Sequence, residues 1–572
     1  YKTDPLEAHH LLAAGAMSLA VKKNEDLFEN FGMIVNIFVI LLNIINHLLK
    51  IYFSWNRNCR NWRPFLNFVN LKNNRVMKKF ILSAAFALIT FCASAAFGDI
   101  FSEMYLNYLV MDDDASTDYP KVWVIGPSSA GSTQPNLSLS IPTAVTHDGV
   151  TYRVTQIDAK AFSGRTNIVQ AFIGYGITHI GNEAFKGCSK LVNVRIPSSI
   201  QSIGDNAFAS CSALKEVNIA NDDPSTFTTS ASAFPSNSDM TLGVAKTNDL
   251  RTVTAFNNLS QYSKFATIEL SSAAYDFTTD DSFAMCVTKA PSKNVPGEVK
   301  LVGVFGNSTG SFAPKATYTH SVYSYKLVAT GFRSCKDQTQ IKSFDFSNAT
   351  NLKTIDCYTF SGCTNLTSVN LGSTVDQIEL YAFENVPISS ITIPKSVSYI
   401  GYLAFNKCPN LSAISVDSNN PFYKSSYGVL YMYLKGDKWD LVCCPAAFPY
   451  TAFYEYMFPS QVTVIDCNAF AFCTNLKTIH IPYGVQKLKD YLFNAALQEV
   501  KIPGSVSEFD ADAFGNASGL QRIFINITTP PTITIFPATP ANLYVPYGFV
   551  SNYKSAAFWK NCVNIQDGSY DV

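Results

Sequence analysis

Charge is what this 572-residue chain has little of: 15% of its residues are charged, 43 basic against 43 acidic. No basic run occurs in the body of the sequence, so the electrostatic footprint that nucleic-acid binding requires is missing. Catalytic signatures are missing as well. There is no His-Glu-x-x-His, no Gly-x-Ser-x-Gly and no phosphate-cradling glycine loop. Beyond residue 95 the histidines are His147, His179, His320 and His480, far apart in sequence and without ligand spacing. The acidic runs Asp112-Asp113-Asp114 and Asp280-Asp281 lie outside any EF-hand pattern and read as solvated loops. A hydrolase or metal enzyme needs convergent groups, so the expectation is a non-enzymatic protein with no cofactor and no metal.

What the chain does have is aromatic residues, 13% of the total, set among Val, Ile, Ser, Thr and Asn. That mixture suits β-structure with a neutral polar face. The length exceeds one ordinary core, so several domains or one extended array are expected.

Near the start, Met77-Lys78-Lys79 precedes an apolar stretch from Phe80 to Phe91 and the small-residue site Ala93-Ser94-Ala95. This is the pattern of a secretory signal peptide over 77–95, and it predicts export. Residues 1–76 read as translated upstream sequence, with a membrane segment over Met33 to Phe53 as the alternative.

The body repeats. Phe162, Phe185 and Phe208 are 23 residues apart, Phe360 and Phe383 keep that step, and Phe405, Phe470, Phe493 and Phe514 continue the series. Between them runs a second pattern: Leu191-x-x-Val194-x-Ile196-Pro197, Leu366-x-x-Val369-x-Leu371, Ile388-x-x-Ile391-x-Ile393-Pro394, Leu476-x-x-Ile479-x-Ile481-Pro482 and Leu497-x-x-Val500-x-Ile502-Pro503. Val194 and Ile196 alternate as a strand does, and proline closes several strands because it cannot donate to a ladder. A unit this short cannot bury its own apolar face, so the units must stack.

Written out, Ile180-Gly181-Asn182-Glu183-Ala184-Phe185-Lys186-Gly187-Cys188 and Ile203-Gly204-Asp205-Asn206-Ala207-Phe208-Ala209-Ser210-Cys211 resemble the BspA-like leucine-rich repeat. Clear repeats cover 154–219, 327–416 and 462–525. Arg165, Val386, Ala496 and Ala517 depart from the usual cysteine, and Asp356 and Asp466 from the usual glycine. The resemblance implies a β-rich leucine-rich-repeat solenoid, a right-handed superhelix of about 23-residue repeats. It also implies a bacterial protein, secreted or on the cell surface, that adheres to other molecules. Repeated flanking segments divide the body into two tandem capped modules, 96–270 and 271–572, the second interrupted by an insertion near 417–460.

Cys188, Cys211, Cys335, Cys363, Cys408 and Cys473 each follow a repeat Phe by three residues. A small thiol there packs in a buried ladder, and that reading outweighs a disulfide framework. The residues between the apolar strand anchors must face solvent, and stacking sets them in columns. The first module offers Asn193, Arg195, Glu216 and Asn218. The second offers Ser368, Asn370, Ser390, Thr392, Thr478, His480, Glu499, Lys501, Arg522 and Phe524. These columns are the candidate binding surface for a protein or glycan ligand on host or bacterial surfaces. Tyr399, Tyr431 and Trp439, taken as exposed aromatics, motivate the alternative of an envelope structural or glycan-binding protein.

Overall fold

A computed structural model describes residues 98–112, 119–237, 239–247, 251–306, 309–534 and 542–568. The expected signal peptide, the residues before it, Asp113 and Asp114 lie outside the described residues. Among the described residues no helix is long and apolar enough to cross a membrane.

The chain winds as a β-solenoid of about 17 turns. Each coil lays down two short strands that pair in parallel with their counterparts one coil away. Before the Ala-Phe pair, His179–Ile180 matches Ser202–Ile203, with Ile203 opposite Ile180. After it, Asn193–Ile196 matches Glu216–Ile219, with Val217 opposite Val194.

The turn between the two strands is itself a ladder. Phe162 N donates to Ala184 O at 2.7 Å and Phe185 N to Ala207 O at 2.7 Å. The rings of Phe162, Phe185, Phe208 and Phe234 stack in succession at 5.0, 5.2 and 5.4 Å. Cysteine fits beside them because its thiol reaches the preceding coil: Cys188 Sγ donates to Phe162 O at 3.2 Å and Cys211 Sγ to Phe185 O at 3.1 Å. All six ladder cysteines are buried free thiols. The turn also demands two left-handed residues per coil. Glu183 (φ +57°) and Asn206 (φ +55°) take one position, Gly187 (φ +74°) and Ser210 (φ +60°) the other. A left-handed non-glycine residue costs roughly 1–2 kcal/mol, which the ladder bonds on either side offset.

The buried apolar side chains form three large clusters, spanning Phe101 to Phe265, Phe277 to Leu430, and Val429 to Cys562. Each cluster opens on antiparallel strands whose last member then pairs in parallel with a coil. In the first, Ile100–Glu103, Leu106–Asp112 and Lys121–Pro127 lead into Val150–Ile157. In the second, Phe277–Thr278, Phe283–Lys289 and Gly297–Val304 lead into Tyr323–Thr330. In the third, Tyr423–Ser426, Val429–Leu434 and Lys438–Cys443 lead into Val462–Ile465.

The stretch near 417–460, expected as an edge insertion, therefore carries a third set of opening strands and core residues of its own. Tyr431 and Trp439, expected to be exposed, are buried there at 0% and 4%. The alternation of Val429-Leu430-Tyr431 against Trp439-Asp440-Leu441 sends those rings inward. The last coil is closed by the helix Val550–Ser555. Tyr553 OH donates to Ile527 O at 2.8 Å and Trp559 Nε1 to Pro531 O at 2.7 Å, so both buried rings keep their polar ends satisfied.

Candidate binding face

The first pair of columns does not face solvent as expected. Asn218 is 1% exposed, its Nδ2 donating to Glu216 Oε1 at 2.8 Å, while Asn193 Nδ2 donates to Glu216 Oε2 at 2.7 Å. Arg195 lies under the chain that leaves the first core. Its Nε donates to Ala273 O at 3.0 Å, and its guanidinium sits 3.7 Å from the Tyr275 ring centre and 4.8 Å from that of Phe172.

The cause is a fold-back. After the strand Thr267–Ser271 the chain crosses the sheet face and is pinned by Asp276, whose carboxylate accepts from Ser198 N (2.7 Å), Ser198 Oγ (2.6 Å) and Val287 N (2.7 Å). Burial pushes the Asp276 carboxyl up to about 6 despite those bonds. Small side chains let the two cores approach: Ala220 and Ala245 from one side meet Ala274, Ala284, Cys286 and Val302. The expected binding columns of the first module are thus the floor of an internal joint.

Ser368, Asn370, Ser390 and Thr392 are exposed. In register they stand beside Ser343, Asp345, Ala413 and Ser415. Asn370 Oδ1 accepts from Gly372 N at 3.0 Å, a local turn bond. This stretch is small, polar and nearly neutral, with little to anchor a partner.

The remaining six residues lie on one sheet, ordered Ala452–Phe453, Thr478–His480, Glu499–Ile502, Arg522–Ile525, Asn542–Val545 and Asn564–Asp567. Register aligns Thr478, Glu499, Arg522, Asn542 and Asn564 in one row, and His480, Lys501, Phe524, Tyr544 and Gln566 in the next. Glu499 ties the rows together: Arg522 Nε donates to its Oε2 at 2.7 Å, and His480 Nε2 lies 3.1 Å from its Oε1. Burial by itself would raise the Glu499 carboxyl, but the Arg522 and His480 hydrogen bonds and charges outweigh it and hold the group below its usual range. The other imidazole nitrogen of His480 is 3.5 Å from Glu455 Oε1, and Tyr454 meets the ring edge-on at 4.9 Å. Phe524 and Tyr544 stack at 4.4 Å with 10° between planes, and the Lys501 ammonium lies 5.6 Å over Phe524.

Sequence reasoning missed Tyr454 and Tyr544, which complete this ridge, and Tyr456, Tyr483 and Tyr547 at its margins, 72%, 71% and 87% exposed. The coil carrying Tyr454 has lost the Leu anchor of the repeat, so the period does not point to it. Tyr544 was read within a closing segment, although its alternation with Leu543 and Val545 was there to use. Chemically the ridge offers ring edges, hydroxyls and paired charges. Among the described residues no group of His, Cys, Asp and Glu is placed to hold a metal ion.

The family model for the BspA-type leucine-rich-repeat region matches residues 148–263, 331–427 and 444–537, in six copies. The chain belongs to the BspA-type leucine-rich-repeat family. No curated protein matches it. Among solved structures it is similar to a leucine-rich cell surface protein of Faecalibacterium prausnitzii (18% identity, 83% of this chain and 96% of that one, TM-score 0.33) and to the pneumococcal vaccine antigen PcpA (15%, 84% and 100%, 0.33). A leucine-rich-repeat protein of Bacteroides ovatus gives 19% identity over 74% and 94%, with a TM-score of 0.29.

Proposed function

We propose that this leucine-rich-repeat protein is an exported, non-enzymatic adhesion or interaction module, secreted or held at the cell surface, that grips a protein partner with the strand face of its last sheet. The observation that carries this reading is the ridge Tyr454, His480, Lys501, Phe524 and Tyr544 beside Arg522. Tyr and Arg dominate the energetic centres of protein interfaces because they bury large area at small entropic cost. Family membership supports a surface-displayed binding role, and the leader-like pattern over 77–95 supports export.

A glycan ligand fits the ridge less well. A sugar stacks on an open ring face, whereas Phe524 and Tyr544 cover one another and Lys501 covers the far side of Phe524. The aromatic residues that motivated that alternative are also reduced to Tyr399, because Tyr431 and Trp439 are buried.

The test is binding of the chain to a panel of immobilised host matrix proteins, bacterial surface proteins and glycans, repeated with Phe524→Ala and Tyr544→Ala. Loss of the protein contacts supports the reading. Contacts that survive both substitutions place the binding surface elsewhere.

A further inference from the structure

The regular turn ladder stops once inside the described solenoid. In the coil before, Tyr381 N, Phe383 N and Asn385 N donate to Tyr402 O, Ala404 O and Asn406 O of the next coil. The matching amides of Leu403, Phe405 and Lys407 have no backbone acceptor among the described residues. The coil that follows is too short to supply one. Leu441 sits opposite Ile465, and Cys444 N donates to Ala469 O, the bond a repeat Phe makes elsewhere. Five positions separate Ile465 from Phe470, but three separate Leu441 from Cys444. The turn is two residues short, and a thiol occupies the place of a phenyl ring.

A cavity of about 230 Å³ occupies that gap. Its walls include Tyr399, Tyr402, Phe405, Met432, Cys443 and Phe472, and Asn468 Nδ2 donates to Tyr402 OH across the missing turn. Asn406 also lines it. That residue is 6% exposed, its Nδ2 donates to Glu384 Oε1 at 3.4 Å, and its Oδ1 has no hydrogen-bond partner. A buried acceptor left unmatched costs about 1–3 kcal/mol, so a donor is what the cavity lacks. An apolar cavity of about 150 Å³ suffices for benzene, and this one has room for two fused rings.

We propose that the cavity is a receptor for a tryptophan side chain of a partner polypeptide. The indole fills the vacated phenyl position, its N–H donates to Asn406 Oδ1, and the partner's carbonyls accept from the amides left over by the interrupted ladder. This deepens the protein-binding reading by naming a second point of contact and the residue type it selects.

Calorimetric titration of the full chain with N-acetyl-tryptophanamide tests it. Saturable one-to-one binding is expected, about tenfold weaker for the 1-methylindole analogue, which has lost one hydrogen bond. Cys444→Phe refills the gap and is expected to abolish binding with the melting temperature kept or raised. Should that variant fail to fold, Asn406→Leu serves instead, and is expected to remove the preference for indole over its methylated analogue.

Absence of saturation, undiminished binding to Cys444→Phe, or an indole preference unchanged in Asn406→Leu overturns the proposal. Free indole binding as tightly as the amide overturns the polypeptide assignment. Phe524→Ala leaves probe binding intact, so a failure of the strand ridge is distinguishable from a failure of the cavity.

Discussion

Arg195 and Arg522 occupy the same kind of position, an outward residue of a parallel strand on the same face of the repeat, yet one is walled in and the other stands open. Arg195 has Tyr275, Phe172 and the Ala273 carbonyl around it. Arg522 has Glu499 on one side and solvent on the other, with 48% of its side chain exposed. The repeat sets which way a side chain points. What the chain does after the repeat ends decides whether that side chain is available.

Four outcomes would break or sharpen that comparison. The largest effect belongs to the scaffold both regions share: Phe208→Ala, in the middle of a stacked ring ladder, should cost about 3–5 kcal/mol in denaturant unfolding. A smaller loss would mean the ladder relaxes around the gap. Next comes pH. The Asp276 carboxyl is held up at about 6 by burial, above its ordinary 3.8. Its native form binds the proton more tightly than the unfolded chain does, so the joint is firmest at low pH. On the order of 2–3 kcal/mol is lost as pH rises through 6.

Glu499 runs the opposite way. Its lowered carboxyl contributes stability that is present above its unfolded pKa and is lost as pH falls through the folded one. Hydrogen exchange at Ser198 and Val287 should therefore accelerate from pH 5 to 7, while the Glu499 coil stays protected until the solution is more acidic. The same direction at both sites would contradict the assignment of burial to one and hydrogen bonding to the other.

Arg195→Ala should cost about 2 kcal/mol, because it strips a cation from two rings and leaves the Ala273 carbonyl unpaired. Arg522→Ala, at an exposed pair, should cost under about 1 kcal/mol. Equal losses in thermal unfolding would erase the distinction between the two faces.

The coil was legible in the sequence because its signals are periodic and local: the 23-residue step between Phe162, Phe185 and Phe208, the cysteine three residues on, and the Leu-x-x-Val-x-Ile strand. The strand pattern also placed Thr478, His480, Glu499, Lys501, Arg522 and Phe524 on one surface. Periodicity is silent on anything that happens once. The burial of Asn218 and Arg195 depends on a single fold-back from Ser271 to Asp276, whose pinning contact joins residues 78 positions apart. The opening strands of the third core, Tyr423 to Cys443, have no repeat signature, and their alternation alone did not separate a core hairpin from a protruding one. The shortened turn at Cys444 was hidden because cysteine is the repeat's own residue, here standing in the place of phenylalanine.

The central claim, that the strand face of the last sheet binds and that of the first does not, is tested most directly by matched charge reversals. Arg195→Glu and Arg522→Glu would be compared for binding to the leading protein ligand by surface plasmon resonance, normalised to folded protein. Arg522→Glu should weaken binding at least about tenfold, as truncating an interface centre does, with thermal stability nearly unchanged. Arg195→Glu should lower the melting temperature and leave the affinity of the folded fraction intact. The reverse pattern, affinity lost with Arg195→Glu and kept with Arg522→Glu, would contradict the account.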